Sequence, residues 1–63
     1  MNGKKLTELR KASGKTLRQI SFEADVTETQ IRNLELGVTT NPRIETLMGL
    51  AKALGCQITD LLA

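Results

Sequence analysis

The chain is poor in the residues that usually staple or anchor a small protein. Cys56 is its one cysteine, so no intrachain disulfide can form, and there is no histidine to help that thiol build a zinc site. Phe22 is the one aromatic residue and Pro42 the one proline. No apolar run approaches the roughly 18 residues that suggest a membrane span, and the opening Met1-Asn2-Gly3-Lys4-Lys5 lacks the apolar stretch of a secretory leader. These absences, with a lone thiol, point to a cytoplasmic protein with no metal and no cofactor. Without histidine there is no Cys–His or Ser–His pair, and no glycine-rich phosphate loop occurs, so an enzyme is not expected.

What remains is a helix-forming palette. Of 63 residues, 40% are apolar, and ten Leu, five Ala and four Ile dominate that set. Strands prefer β-branched and aromatic side chains, so the composition predicts an all-α fold, a single unit over residues 1–63. The net charge of +2 says little by itself, but its distribution is uneven. Residues 1–18 carry Lys4, Lys5, Arg10, Lys11, Lys15 and Arg18 against Glu8, a local +5, and the remainder carries −3. A basic end suits an anionic partner, and a solvated helix face fits the same count.

Helix punctuation is dense. Asn2 is placed to cap a first helix with Leu6, Leu9 and Ala12 inward, ended by Gly14 as a left-handed cap. Thr16-Leu17-Arg18-Gln19 is a Thr-x-x-Gln capping box opening a second helix with Leu17, Ile20, Ser21 and Ala24 on one face. The box recurs eleven residues later as Thr27-Glu28-Thr29-Gln30, opening a third helix that buries Ile31 and Leu34 and stops at Gly37. Only Asp25 and Val26 separate the two short helices, and a connection that short forces a steep crossing, the helix-turn-helix. Asp suits the turn because it tolerates left-handed backbone better than most non-glycine residues. Residues 36–43 read as a loop, followed by a fourth helix from about Ile44 to Leu54 with Ile44, Leu47, Ala51 and Leu54 inward. Gly49 falls on its outward face, as a tolerated cost or as a point of close approach. A last helix from Ile58 to Leu62 closes the core with Leu61 and Leu62.

The segment Lys15 to Gly37, KTLRQISFEADVTETQIRNLELG, resembles the helix-turn-helix of the phage lambda/434 repressor and Cro family. The resemblance continues through Asn41-Pro42, Glu45-Thr46-Leu47 and Leu50-Ala51-Lys52-Ala53-Leu54-Gly55 to the closing Ile58-x-Asp60-Leu61-Leu62, nearly the whole chain in one register. Ser21 stands where the family usually has Ala, and Asp25 where the turn usually has Gly. The resemblance implies a compact five-helix bundle with its helix-turn-helix at about 16–36 and a recognition helix, about 28–35, in the major groove of double-stranded DNA. It implies a small transcriptional regulator, a repressor by preference, bound as a homodimer to a near-palindromic operator. No long dimerisation segment is visible, so pairing falls to the bundle surface, with the region around Gln57 to Ala63 a candidate, or arises on DNA.

On the third helix, burying Ile31 and Leu34 leaves Glu28, Thr29, Arg32 and Asn33 opposite, the candidates for base readout. Asn33 can pair with adenine, Thr29 can meet a thymine methyl, and Glu28 can accept from cytosine N4 or merely complement the helix dipole. Arg32 suits a base or a phosphate. Phosphate or minor-groove candidates are Lys15, Thr16, Leu17 and Arg18 at the start of the second helix, Thr27 at the third, and Thr39, Thr40, Asn41 and Arg43 in and after the loop. The family commonly has Gln at the position of Leu17, so only the backbone N–H is available there. Thr27 and Gln30 serve first as caps, with a DNA contact as the alternative second duty of each. Relatives often join the first helix to the end of the third through residues of the types found at Arg10 and Glu35, which implies a structural ion pair. Phe22 either rests on a neighbouring helix end or meets another protein, and Cys56 reads as a small buried apolar residue. The competing reading is a protein-interaction module on the same fold, antitoxin-like or an accessory factor, since fold does not fix function.

Overall fold

Three helices open on a capping side chain, and four end at a residue in left-handed backbone. The structure is a computed structural model that describes all of residues 1–63 as five helices and no strand. They are α1 (Gly3–Ser13), α2 (Leu17–Ala24), α3 (Glu28–Leu36), α4 (Ile44–Leu54) and α5 (Ile58–Leu62). The Asn2 side chain accepts from Lys5 N at 3.1 Å. Both predicted boxes close reciprocally: Thr16 N donates to Gln19 Oε1 at 2.9 Å and Thr27 N to Gln30 Oε1 at 2.8 Å, while each Thr hydroxyl accepts from its Gln backbone. Gly14, Gly37 and Gly55 end α1, α3 and α4 in left-handed backbone, and Asp25 does the same for α2 at φ 57°. Thr16→Ala and Thr27→Ala are each expected to cost about 1 kcal/mol, read as a melting point lower by roughly 4–8 °C. Unchanged thermal unfolding would show the boxes contribute nothing.

The core takes one fully buried large side chain from each helix: Leu6, Ile20, Ile31, Leu50 and Leu61. Around them pack Ala24, Leu34, Leu47, Ala51 and Ala53, with Leu9, Leu17, Val26, Leu54, Cys56 and Ile58 partly buried. α4 is the hub, meeting α2 on one flank and α1 and α5 on others.

Four face assignments differ from the sequence reading, each for a geometric reason. Ala12 is exposed, because each step of three residues falls about 60° short of a full turn, so two steps from Leu6 carry it off the buried arc. Ile44 is 60% exposed, since it shares the outward face of α4 with Met48, and Leu50 and Ala53 are buried instead. Leu62 is 52% exposed, because a five-residue helix that buries Leu61 turns its neighbour outward. Gly49 does not face solvent. A Cβ built on it would lie 2.6 Å from the carbonyl oxygen of Ala24, so the close approach is that of α2 itself. Phe22 lies opposite the α2 stripe and is 87% exposed, resting on no helix end. Cys56 is half-buried, and its thiol pKa is raised, first by burial and then by the Asp60 carboxylate.

Candidate nucleic-acid interface

The candidate surface is built on two helix starts and one loop. α3 exposes Glu28, Thr29 and Arg32 and leaves Asn33 half-buried, while Ile31 and Leu34 fix its inner side in the core. The base-reading candidates therefore sit on a helix whose rotation is set by packing. Glu28 and Arg32, one turn apart, form no ion pair with each other, so both remain free for an outside partner.

The loop after α3 is held to it chiefly through one carbonyl, with Gly37 N also donating to Leu34 O at 3.3 Å. Asn33 O accepts from Val38 N at 2.9 Å and from Thr39 N at 3.1 Å. This tie turns the chain back, so that Thr39, Asn41 and Arg43 line an open cleft with Gln30 and Asn33 of α3. The cleft is polar on both walls, with Asp25 and Glu45 supplying its acids and Arg43 its one cation. Thr40 is exposed beside it in the chain.

The second cluster forms at the start of α2. Thr16 and Arg18 are exposed, whereas the Leu17 side chain packs against the core and leaves only its backbone N–H outward. Lys15 is occupied differently from its neighbours. Its ammonium donates to Ala53 O at 2.6 Å and to Glu23 Oε1 at 2.7 Å, joining α2 to the last turn of α4. Thr27 caps α3 and remains exposed.

Behind the surface, Arg10 of α1 meets Glu35 of α3 in a two-pronged pair, Nε to Oε2 at 2.7 Å and Nη2 to Oε1 at 3.3 Å. α1 lies so close to α3 here that a Cβ on Gly3 would collide with the carbonyl oxygens of Leu34 and Glu35. The structure thus brings together Asn33, Thr39, Asn41 and Arg43, keeps Glu28, Thr29 and Arg32 on the outer face, and puts Lys15 to structural use. It also places Gln30, a cap by sequence, in the cleft wall beside Asn33.

No helix is long and apolar enough to cross a membrane. Comparison with known proteins agrees with the geometry. The chain is 40% identical over 58 residues, 92% of its length, to the HTH-type transcriptional regulator DdrOP3 of Deinococcus deserti, and it spans 44% of that relative. Among solved structures it superposes on SinR of Bacillus subtilis, the master regulator for biofilm formation, in complex with DNA, at TM-score 0.92 and 27% identity over 100% of both chains. It also superposes on the restriction-modification controller protein C.AhdI of Aeromonas hydrophila, at TM-score 0.85 and 27% identity, covering 94% of this chain and 88% of that one. A helix-turn-helix family model matches residues 6–61, and on that match the chain belongs to the helix-turn-helix family of the Cro/C1 type.

Proposed function

We propose that this chain binds double-stranded DNA sequence-specifically as the DNA-reading unit of a small cytoplasmic transcriptional regulator, a repressor by preference, and catalyses no reaction. The supporting observation is the pair of backbone bonds at Asn33 O, which ties the proposed base-reading helix to a donor-bearing loop. DNA recognition needs groups for base edges and groups for phosphates, held in fixed register. Glu28, Thr29, Arg32 and Asn33 supply the first. Thr16, the Leu17 N–H, Arg18, Thr27, Thr39, Thr40, Asn41 and Arg43 supply the second, with Arg43 suited also to a narrow minor groove.

The operator is near-palindromic and bound by two copies, with half-sites about one helical turn apart. Exposed apolar side chains support the pairing, since Ile44 and Met48, one turn apart on α4, and Leu62 on α5 are each more than half exposed.

Selection from random duplexes, followed by footprinting and a salt titration, tests the proposal. A two-fold symmetric site is expected, with affinity falling as salt rises by a slope of about −0.9 per phosphate neutralised. Arg18→Ala should weaken all sequences alike and flatten the slope by about one, while Asn33→Ala should relax one base position at about 1–3 kcal/mol. Enrichment of no duplex, with a protein partner co-purifying instead, would favour the interaction-module reading.

A further inference from the structure

Gln30 spends one end of its amide inside the protein and leaves the other free. Its Oε1 accepts from Thr27 N at 2.8 Å, which turns the oxygen back toward the helix start, and its NH2 makes no bond within the protein. The side chain is exposed, on the α3 flank that faces the loop, in the cleft lined also by Asn33, Thr39 and Arg43. Reading adenine takes an amide oxygen and an amide nitrogen side by side. Asn33, whose side chain has no internal partner, can present both, but Gln30 presents the donor alone.

We infer that Gln30 is a DNA contact whose capping bond fixes it as a hydrogen-bond donor, directed at an acceptor on the DNA strand that enters this cleft. The inference rests on the DNA-binding reading above. The acceptor is a phosphodiester oxygen or the O6/N7 edge of guanine, one chemistry with two sources. Asp25 and Glu45 line the same cleft and repel a phosphate, while Arg43 attracts one, so an uncharged donor at Gln30 adds a contact without adding to either field.

Gln30→Glu tests this with the exchange of one NH2 for one oxygen. Glu is the standard partner in a capping box, and a carboxylate suits the first turn of a helix, so the variant keeps or raises the melting point. Its affinity for the selected duplex is expected to fall at least about tenfold, and the deficit should persist as salt is raised. Loss caused only by added charge would fade with screening. Ethylation of single phosphates and 7-deazaguanine substitution then separate the sources: the modification that harms the wild-type chain but not the variant marks the acceptor. Binding within about twofold of wild type, or a deficit that salt erases, would overturn the inference and leave the DNA reading standing. Failure of the wild-type chain to bind any duplex would remove both.

Discussion

Gly49→Ala should lower the stability of this fold by about 2 kcal/mol, although the same exchange in an exposed helix interior usually gains about 1 kcal/mol. The sign turns on a single contact. The new methyl would lie 2.6 Å from the carbonyl oxygen of Ala24, an atom of helix backbone that cannot swivel aside as a side chain can. Relief requires α2 and α4 to separate, which loosens Ile20, Ala24 and Leu50, all buried between them. Thermal unfolding followed by circular dichroism should show a melting point lower by roughly 10 °C. A melting point raised above wild type would mean the two helices have room to spare. Gly3→Ala meets the carbonyls of Leu34 and Glu35 in the same way, but it stands at the first position of α1, where the chain can fray, so its cost is expected to be smaller.

Glu35→Ala is the second large effect, also about 2 kcal/mol. The carboxylate is only 10% exposed and the Arg10 side chain 23%, so removal strands a half-desolvated guanidinium at the α1–α3 junction. Full burial would cost about 3–5 kcal/mol, and partial access to water lowers that figure. A double-mutant cycle with Arg10→Ala isolates the pair from the packing of its stems. A coupling energy near zero would demote the contact to a surface ion pair. Arg10→Met with Glu35→Leu should recover much of the loss, because an apolar pair leaves no charge unmatched.

The capping chemistry was legible in the sequence because it is local. Asn2, the two Thr-x-x-Gln boxes, Asp25 and the three stop glycines act over at most a turn or so of chain, and each performs its expected role. Facing was legible for most of the core, as at Leu6, Ile20, Ala24, Ile31, Leu34, Leu47, Ala51 and Leu61. A stripe counted in threes drifts, which misplaces Ala12, and partners on two flanks widen the buried arc of α4 beyond any single stripe. Contacts between distant segments carry no local signal. Nothing around Lys15 announces that its ammonium will end on Ala53 O, 38 residues away. Nor does the spacing around Gly49 reveal the carbonyl waiting opposite. In the candidate interface, residue types mark which groups can serve DNA, but the grouping of Gln30 and Asn33 with Thr39, Asn41 and Arg43 comes from the turn of the loop.

That turn hangs on the main-chain oxygen of Asn33, which holds Val38 and Thr39 whatever side chain position 33 carries. Reading and gripping are thereby separable. Under the proposed role, a new residue at 33 would change which base edge is met, while the backbone tie to Val38 and Thr39 does not depend on residue type. If α3 reads DNA as proposed, a lineage built on this frame could drift from one operator to another by single exchanges on the outer face of α3 without disturbing the loop that grips the duplex.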